Sequence, residues 1–211
     1  MTKGKFIVVE GLDGAGKSLA VNYINSYLTK EGLDVVRTKD PGGTEFVDQL
    51  KPIVISNIDS LDSRTELLLF LAMRNELITK VIIPGLQEGK VVVCDRFADS
   101  TYIYQGILQD RVADVLRFQS LLDKIPVPDM VFLLDITVEE SVARISNRSD
   151  NNEFDVLSLT EKKIMREAYL DIYKRSKASE SKTKYYLIDA NQSVRKVHMD
   201  IQDILNLEVL P

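Results

Sequence analysis

The sequence predicts an α/β fold in which helices cover both faces of a parallel sheet, and two observations indicate it. Short apolar runs alternate with longer segments of helical periodicity along the chain, as in sheets whose parallel strands are joined by crossover helices. The apolar runs are also nearly continuous, as expected for strands buried on both faces. These strands are predicted at Phe6–Val9, Val35–Thr38, Val91–Cys94, Met130–Leu134 and Tyr185–Ile188.

Helical periodicity fills the intervals between these runs. The 211 residues suit one compact domain, 1–211, and its crossovers are expected to be right-handed. The helices are predicted at Lys17–Lys30, Phe46–Ser56, Arg64–Gln87, Arg111–Lys124, Val138–Ser146, Thr160–Ser179 and Ser193–Asn206.

Composition narrows the class of protein. The net charge of -5 gives no reason to expect a nucleic-acid partner, and no stretch approaches the length that spans a membrane. A single cysteine, Cys94, excludes a disulfide framework and fits a reducing cytosol, so we expect a cytoplasmic protein. A single histidine, His198, disfavours a Ser-His-Asp triad or a histidine-rich metal site.

A phosphate-binding motif follows the first predicted strand directly. Residues 11–18 read Gly-Leu-Asp-Gly-Ala-Gly-Lys-Ser, the spacing G-x-x-x-x-G-K-[ST] whose backbone N–H groups surround phosphate oxygens. Lys17 can reach the terminal phosphates, and the Ser18 hydroxyl can ligate Mg²⁺. The helix that begins here also directs its positive dipole end at the anion. Asp13 lies inside the loop, where it either binds a sugar hydroxyl or caps the turn.

The ends of the next two strands carry further candidates. Residues 40–44, Asp-Pro-Gly-Gly-Thr, follow the second strand, where open α/β sheets place ligand loops. Asp95 and Arg96 end the third strand. Asp95 can face the Mg²⁺ region, and Arg96 can hold a second phosphate with two hydrogen bonds. The alternative for this pair is a salt bridge at the strand end.

Three other segments have a functional and a plain structural interpretation. Phe70 and Arg74 share one helix face. They either contact a base, or Phe70 is a core residue and Arg74 a surface residue. Residues 100–106, Ser-Thr-Tyr-Ile-Tyr-Gln-Gly, either bind a base and sugar or form an amphipathic turn. The polar residues 148–153 form either a surface loop or a mobile lid.

Taken together, these residues resemble the thymidylate kinase family, and the resemblance extends from Phe6 to about Ile201. The match is to the bacterial-type enzymes. Its anchors are residues 10–18, Pro41-Gly42-Gly43-Thr44, Arg64-Thr65-Glu66 with Phe70 and Arg74, Asp95-Arg96-Phe97, Ser100-Thr101 with Tyr104-Gln105-Gly106, Pro128-Asp129 with Leu134-Asp135, and Ile188-Asp189-Ala190.

The resemblance implies a P-loop NTPase fold of three layers, with a five-stranded parallel sheet in the order 2-3-1-4-5 and a short lid at about 144–157. It implies Mg²⁺-dependent phosphorylation of dTMP to dTDP by ATP, with these nucleotides as partners and a homodimer as the assembly. Two alternatives stay open. One is a related kinase with dUMP, dGMP or a deoxynucleoside as acceptor. The other is a non-catalytic nucleotide-binding or switch protein, although the guanine motif Asn-Lys-x-Asp is missing from the sequence.

The resemblance also implies roles for individual residues. Lys17, Arg96, Arg148 and Asp13 would be catalytic, and Ser18 and Asp95 would serve the metal. ATP would be bound by Gly11, Asp13, Gly14, Ala15, Gly16, Lys17, Ser18 and Leu19, with Arg144 against the adenine. The acceptor dTMP would be bound by Asp13, Lys39, Phe70, Arg74, Arg96, Ser100, Thr101, Tyr104 and Gln105, where Asp13 meets the 3'-hydroxyl and Tyr104 crowds the 2' position.

The chain departs from the family pattern at a few positions. One class of the family carries an arginine where this chain has Gly14, so the lid is expected to supply the catalytic arginine as Arg148. Glu153 stands where the lid often has a second arginine. Lys39 and Asp40 replace the usual Arg-Glu, and lysine lacks the two-pronged fork of arginine.

Overall fold

The structure is a computed structural model, and it describes residues 4–122, 125–146, 157–179 and 181–210. Most of the predicted lid lies outside these ranges, including Arg148 and Glu153.

Five parallel strands form the sheet, in the order β2-β3-β1-β4-β5 that the resemblance implies. Each predicted strand is confirmed to within two residues at either end. Val8 of the central strand β1 lies opposite Cys94 of β3 and Val131 of β4, so β1 is paired on both sides. The strands are β1 Lys5–Gly11, β2 Val35–Lys39, β3 Val91–Asp95, β4 Met130–Asp135 and β5 Lys184–Asp189.

Helices connect these strands, and several begin at a side chain that accepts a hydrogen bond from the first turn. Such N-caps are Thr44, Asp62, Ser158 and Ser193. The helices are α1 Lys17–Lys30, α2 Glu45–Ile55, α3 Ser63–Leu77, α4 Ile83–Gln87, α5 Ala98–Thr101, α6 Val112–Gln119, α7 Val138–Ser146, α8 Leu159–Ala178 and α9 Val194–Glu208.

Three helical segments differ from the prediction. The helix predicted at Arg111–Lys124 ends at Gln119, and the described residues after it form a turn. The single helix predicted at Arg64–Gln87 consists of α3 and α4, joined by a π-helical turn at Ile78–Ile82. Pro84 explains the interruption, because its ring has no N–H and would collide with a carbonyl of the preceding turn. Residues 100–106 are helical, since α5 continues into a second π-helical turn at Tyr102–Ile107. No helix was predicted for this segment.

The core lies on both faces of the sheet because successive side chains of a strand point to opposite sides. Ile7 and Val9 belong to a buried cluster with residues of α1, α8 and α9. Phe6 and Val8 belong to another with residues of α3 and the π-helical turn that follows it. This three-layer packing leaves the carboxyl ends of β1, β2 and β3 at one edge, where the candidate residues follow.

Within the described ranges, none of the helices combines the length and the apolar character needed to cross a bilayer.

Candidate functional site

A cavity of about 390 Å³ opens at the carboxyl ends of β1, β2 and β3. Among the described residues, five cationic side chains line it against three carboxylates, although the whole chain carries a net charge of -5. This local excess of positive charge suits an anionic ligand. The lining residues are Asp13, Gly14, Gly16, Lys17, Ser18, Leu19, Lys39, Asp40, Pro41, Lys51, Ile55, Phe70, Arg74, Asp95, Arg96, Ser100, Thr101, Tyr104 and Gln105.

The phosphate loop requires glycine at a specific place. Gly14 has a φ of 81°, and a Cβ atom added there would lie 2.7 Å from the backbone carbonyl oxygen of Ser141 in α7. The Ser141 hydroxyl in turn donates to the carbonyl of Asp13 at 2.7 Å. Helix α7 therefore packs directly on the loop and leaves no room for a side chain at position 14, where one class of the resembled family carries arginine.

Lys17 lies at the base of the cavity, almost fully buried. Its Nζ donates to the carbonyl of Leu12 at 2.8 Å and lies 3.4 Å from Asp13 Oδ1. Burial lowers the pKa of Lys17, and nearby Arg96 lowers it further, while the carboxylates of Asp13 and Asp95 oppose this change. A cation that is already stripped of water interacts strongly with an incoming phosphate.

Ser18 and Asp95 meet at the start of α1. Parallel pairing places Asp95 opposite Val9, beside the loop, and the Ser18 hydroxyl donates to Asp95 Oδ2 at 2.7 Å. Hydroxyl and carboxylate oxygens are the hard ligands that Mg²⁺ prefers. The described residues contain no cluster of three or more His, Cys, Asp or Glu side chains suited to a metal. These two oxygens therefore fit a Mg²⁺ ion whose other ligands come from phosphate and water.

Arg96 is held in an uncommon backbone conformation, with a φ of 67°. Such strain in a residue other than glycine is concentrated at functional sites. Its guanidinium contacts Asp13 Oδ1 at 2.5 Å and Ser100 Oγ at 3.0 Å, and lies 5.3 Å from the centre of the Tyr104 ring. Tyr104 also donates to Asp13 Oδ2 at 2.7 Å. Arg96 therefore forms an ion pair within the cavity instead of a salt bridge confined to the strand end.

The Arg96–Asp13 pair determines the charge state of the loop carboxylate. Burial alone would raise the pKa of Asp13, but the Arg96 guanidinium and the Lys17 ammonium hold it well below its usual range. Asp13 therefore stays ionised across the neutral range and accepts hydrogen bonds with both oxygens.

Glu10 holds the segment that carries Arg96 and Ser100 in place. It was not among the site residues predicted from the sequence. Its buried carboxylate accepts hydrogen bonds from the Phe97 backbone N–H and the Ser100 hydroxyl, both at 2.7 Å, and from the Tyr169 hydroxyl at 3.1 Å. Burial raises the pKa of Glu10, while the charge of Arg96 opposes that change. The signal in the sequence is an acidic residue directly after the apolar run of β1, because a buried carboxylate needs several partners.

Phe70 and Arg74 form another wall of the cavity, one turn apart on α3. Arg74 donates from Nε to Asp40 Oδ2 at 2.5 Å, and from Nη2 to Thr101 Oγ1 at 2.6 Å and the Phe97 carbonyl at 3.0 Å. Only 2% of the Arg74 side chain is exposed, so the interpretation of this residue as a surface arginine is wrong. Asp40 was not predicted as a partner, although its place directly after β2 is the signal for it.

Two lysines differ in how they border the cavity. Lys39 is largely exposed and lies 3.5 Å from Asp48. Lys51, which sequence reasoning missed, donates to the Pro41 carbonyl at 3.3 Å. Burial lowers the pKa of Lys51, and the charges of Lys39 and Arg96 add to the effect. The available signal was a lysine within the helix that begins right after the loop at residues 40–44.

Four predicted residues do not line the cavity in the described structure. Gly11 and Ala15 are buried within the phosphate loop. Arg144 on α7 donates to Glu140 Oε1 at 2.8 Å on its own helix. Arg148 lies outside the described residues. The other predicted residues all line this cavity.

Comparison with known proteins is consistent with this geometry. Residues 9–201 match the family model described as thymidylate kinase. A thymidylate kinase of Thermoanaerobacter sp. is 33% identical over 205 residues, which cover 96% of this chain and 98% of that protein. One of Vesicomyosocius okutanii is 38% identical over 211 residues, with 97% and 98% covered. The crystal structure of thymidylate kinase from Ehrlichia chaffeensis matches with a TM-score of 0.74 and 28% identity, covering 96% of this chain and 99% of that one.

Proposed function

Because this chain belongs to the thymidylate kinase family, we propose that the cavity transfers the γ-phosphoryl group of ATP to dTMP and releases ADP and dTDP. The observation that carries the proposal is the convergence, in one cavity, of a phosphate loop, a second phosphate-binding arginine and an aromatic wall. The arginine and the aromatic wall suit a second nucleotide, which a P-loop protein that binds ATP alone would not require.

The phosphate end of the cavity positions two anionic groups for reaction. Lys17 and the loop backbone hold the ATP phosphates, and Arg96 holds the phosphate of dTMP. Phosphoryl transfer needs little covalent help, because it depends on in-line positioning and on positive charge around the moving group. Lys51, half-buried at the cavity wall, adds a further cation.

Ser18 and Asp95 would hold Mg²⁺. When bound, this ion offsets the charge of the ATP phosphate oxygens. The protein side of the site is prepared for it, since the two oxygen-bearing side chains already lie within hydrogen-bond distance of each other.

The other end of the cavity accepts the nucleoside of dTMP. Phe70 stacks on the thymine ring and Arg74 donates to it, while Ser100, Thr101 and Gln105 complete the pocket. Asp13 binds the 3'-hydroxyl, which is consistent with an ionised carboxylate held between Arg96 and Tyr104. Tyr104 occupies the space that a ribose 2'-hydroxyl would need.

The assignments of Arg144 to the adenine and of Arg148 to catalysis rest on the resemblance. We extend the proposal to a cytoplasmic homodimer, which the resemblance also implies. Exposed leucines on two helices are consistent with such an interface, since Leu68 of α3 is 49% exposed and Leu116 of α6 is 56% exposed.

The test is dTDP formation by the purified chain from dTMP and Mg²⁺-ATP, followed by separation of the nucleotides. We expect turnover that falls by about 10³-fold in Lys17→Met, because the buried cation at the phosphates is lost. Lys90→Met is the matched control, since Lys90 pairs with Glu88 outside the cavity, and it should keep the wild-type rate. Absence of dTDP at every dTMP concentration, with ATP still bound, would contradict the proposal.

A further inference from the structure

We infer that Glu66 is a positioning residue that orients the side-chain amide of Gln105, and that this orientation makes the cavity select a pyrimidine base with an N3–H group over cytosine. The inference deepens the proposed function and rests on it, since it concerns the base of the acceptor nucleotide. Glu66 itself does not border the cavity.

Glu66 lies in the first turn of α3 and is 5% exposed. Both carboxylate oxygens are occupied by amide groups from one neighbouring segment. Gln105 Nε2 donates to Glu66 Oε1, and Gln109 Nε2 donates to Glu66 Oε2, each at 2.8 Å. A buried carboxylate needs such donors, so these contacts hold the two glutamine side chains in place.

The chemistry of a carboxylate decides which way each amide faces. A carboxylate only accepts hydrogen bonds, whereas a glutamine amide has an N–H₂ side that donates and an oxygen side that accepts. Glu66 therefore takes an N–H of Gln105, and the amide oxygen, which the carboxylate cannot bond, is the acceptor left for a ligand. This orientation follows because a carboxylate has no hydrogen to donate to the amide oxygen.

Gln105 has a ligand cavity beside it and Gln109 does not. Gln105 borders the cavity together with Phe70, Arg74 and Thr101. In the described part of the chain, Gln109 Oε1 is enclosed and has no hydrogen-bond partner. The same carboxylate thus holds two equivalent amides, one facing a ligand site and one facing packed protein. Gln109 is therefore a built-in control for Gln105.

The two faces presented to the base match the edge of uracil or thymine. These bases carry a donor at N3–H and an acceptor at O4, whereas cytosine carries an acceptor at N3 and a donor at its 4-amino group. Arg74 has only donors to offer. With Gln105 supplying an acceptor, the wall is complementary to thymine and uracil and mismatched to cytosine at both positions.

The experiment compares dTMP, dUMP and dCMP as acceptors and reports kcat/KM for each. In Glu66→Gln the new amide can donate to the oxygen of Gln105, so that Gln105 can turn its N–H₂ side to the cavity. We expect the dUMP-to-dCMP ratio to fall by about tenfold, the effect of one exchanged hydrogen bond. The dTMP-to-dUMP ratio should not change, because the two bases differ only in the 5-methyl group.

A purely structural role for Glu66 would give a different result. Lower stability or a looser helix would reduce turnover of all three nucleotides together and leave both ratios at their wild-type values, and this outcome would overturn the inference. Gln109→Met removes the other donor to the same carboxylate and should leave both ratios within twofold of wild type. A fall in the dUMP-to-dCMP ratio there as large as in Glu66→Gln would also overturn it.

A second pair of variants keeps the inference testable if Glu66→Gln folds poorly. Gln105→Met removes the amide that Glu66 orients, so the dUMP-to-dCMP ratio falls in this variant. Adding Glu66→Gln to it should then change the ratio no further, and an additional tenfold fall would contradict the inference. Failure of wild-type enzyme to phosphorylate dTMP would instead contradict the proposed function, so the two failures are distinguishable.

Discussion

Two arginine–aspartate pairs lie in the same cavity and differ in what surrounds them. Arg96 and Asp13, at the phosphate end, are 17% and 19% exposed, and Asp13 has Lys17 as a second cation 3.4 Å away. Arg74 and Asp40, at the base end, are 2% and 1% exposed. Enclosed atoms without a partner in the described structure include Arg74 Nη1 and Asp40 Oδ1.

The two pairs therefore differ in how many partners share their charge and in how much water reaches them. The pair at the phosphate end is shared among several partners and reaches the cavity, so it is suited to exchanging contacts with a substrate. The pair at the base end is almost completely buried, and each member depends on the other, because breaking a buried ion pair leaves an uncompensated charge. The same substitution should therefore cost more activity at Arg96 and more stability at Arg74.

Arg96→Met tests the phosphate end and should have the largest effect on activity. We expect kcat/KM for dTMP to fall by about 10³-fold, because the cation that holds the acceptor phosphate is lost. Stability should fall by only about 1–3 kcal/mol, since Lys17 and Tyr104 still contact Asp13. Steady-state kinetics and urea unfolding measure the two quantities. A loss of stability without a loss of activity would reverse the comparison.

Arg74→Met tests the base end and should have the larger effect on stability. We expect the free energy of unfolding to fall by about 3–5 kcal/mol, because Asp40 would remain as a buried charge without its partner. Adding Asp40→Asn removes that charge and should recover much of the loss. Urea unfolding of the single and double variants provides the measurement. If Asp40→Asn recovers nothing, the cost arises from the lost packing of Arg74 and not from the unpaired carboxylate.

The two ends also differ in how well the sequence predicts them. The phosphate loop is one contiguous motif, and the spacing of Gly16, Lys17 and Ser18 already specifies its backbone and its chemistry. The base end is assembled from single side chains on separate elements. Neither Phe70 nor Arg74 carries a local signal that separates a ligand contact from core or surface, so only the family resemblance assigned them.

A similar limit applies to the fold. The strands are predicted well because each is a short apolar run, and this pattern alone indicates a buried strand. The break between α3 and α4 and the helical nature of residues 98–107 were missed, since both involve π-helical turns. Such turns depend on tertiary packing more than on local propensity. Glu10 and Glu66 were missed as site residues, and Asp40 as the partner of Arg74, because the residues that they contact lie far away along the chain.

The smallest predicted effect concerns the region behind both arginines, where Asp99 lies on α5. The pKa of Asp99 is raised to about 7. Burial and the nearby carboxylate of Glu10 raise it, while the charge of Arg74 and the Tyr185 hydroxyl, which donates to Asp99 at 2.8 Å, oppose the change. In the unfolded chain an aspartate has a pKa of about 3.9. The folded state therefore binds the proton more tightly, so the stabilising contribution is complete below about pH 4 and is lost as the pH rises through about 7.

Asp99→Asn provides the test, because asparagine stays neutral at every pH and its oxygen can still accept from Tyr185. We expect the stability of this variant relative to wild type to increase as the pH rises from about 5 to about 8, as measured by urea unfolding at each pH. Comparing the two proteins at each pH cancels the opposite contribution of Asp13, whose pKa is held low and which destabilises the fold only in acid. A difference in stability that does not change with pH would show that Asp99 is ionised in the folded state. Asp99 and Glu10 would then be two neighbouring negative charges. The positive charges of Arg96 and Arg74 would be needed to offset them, in addition to binding substrate.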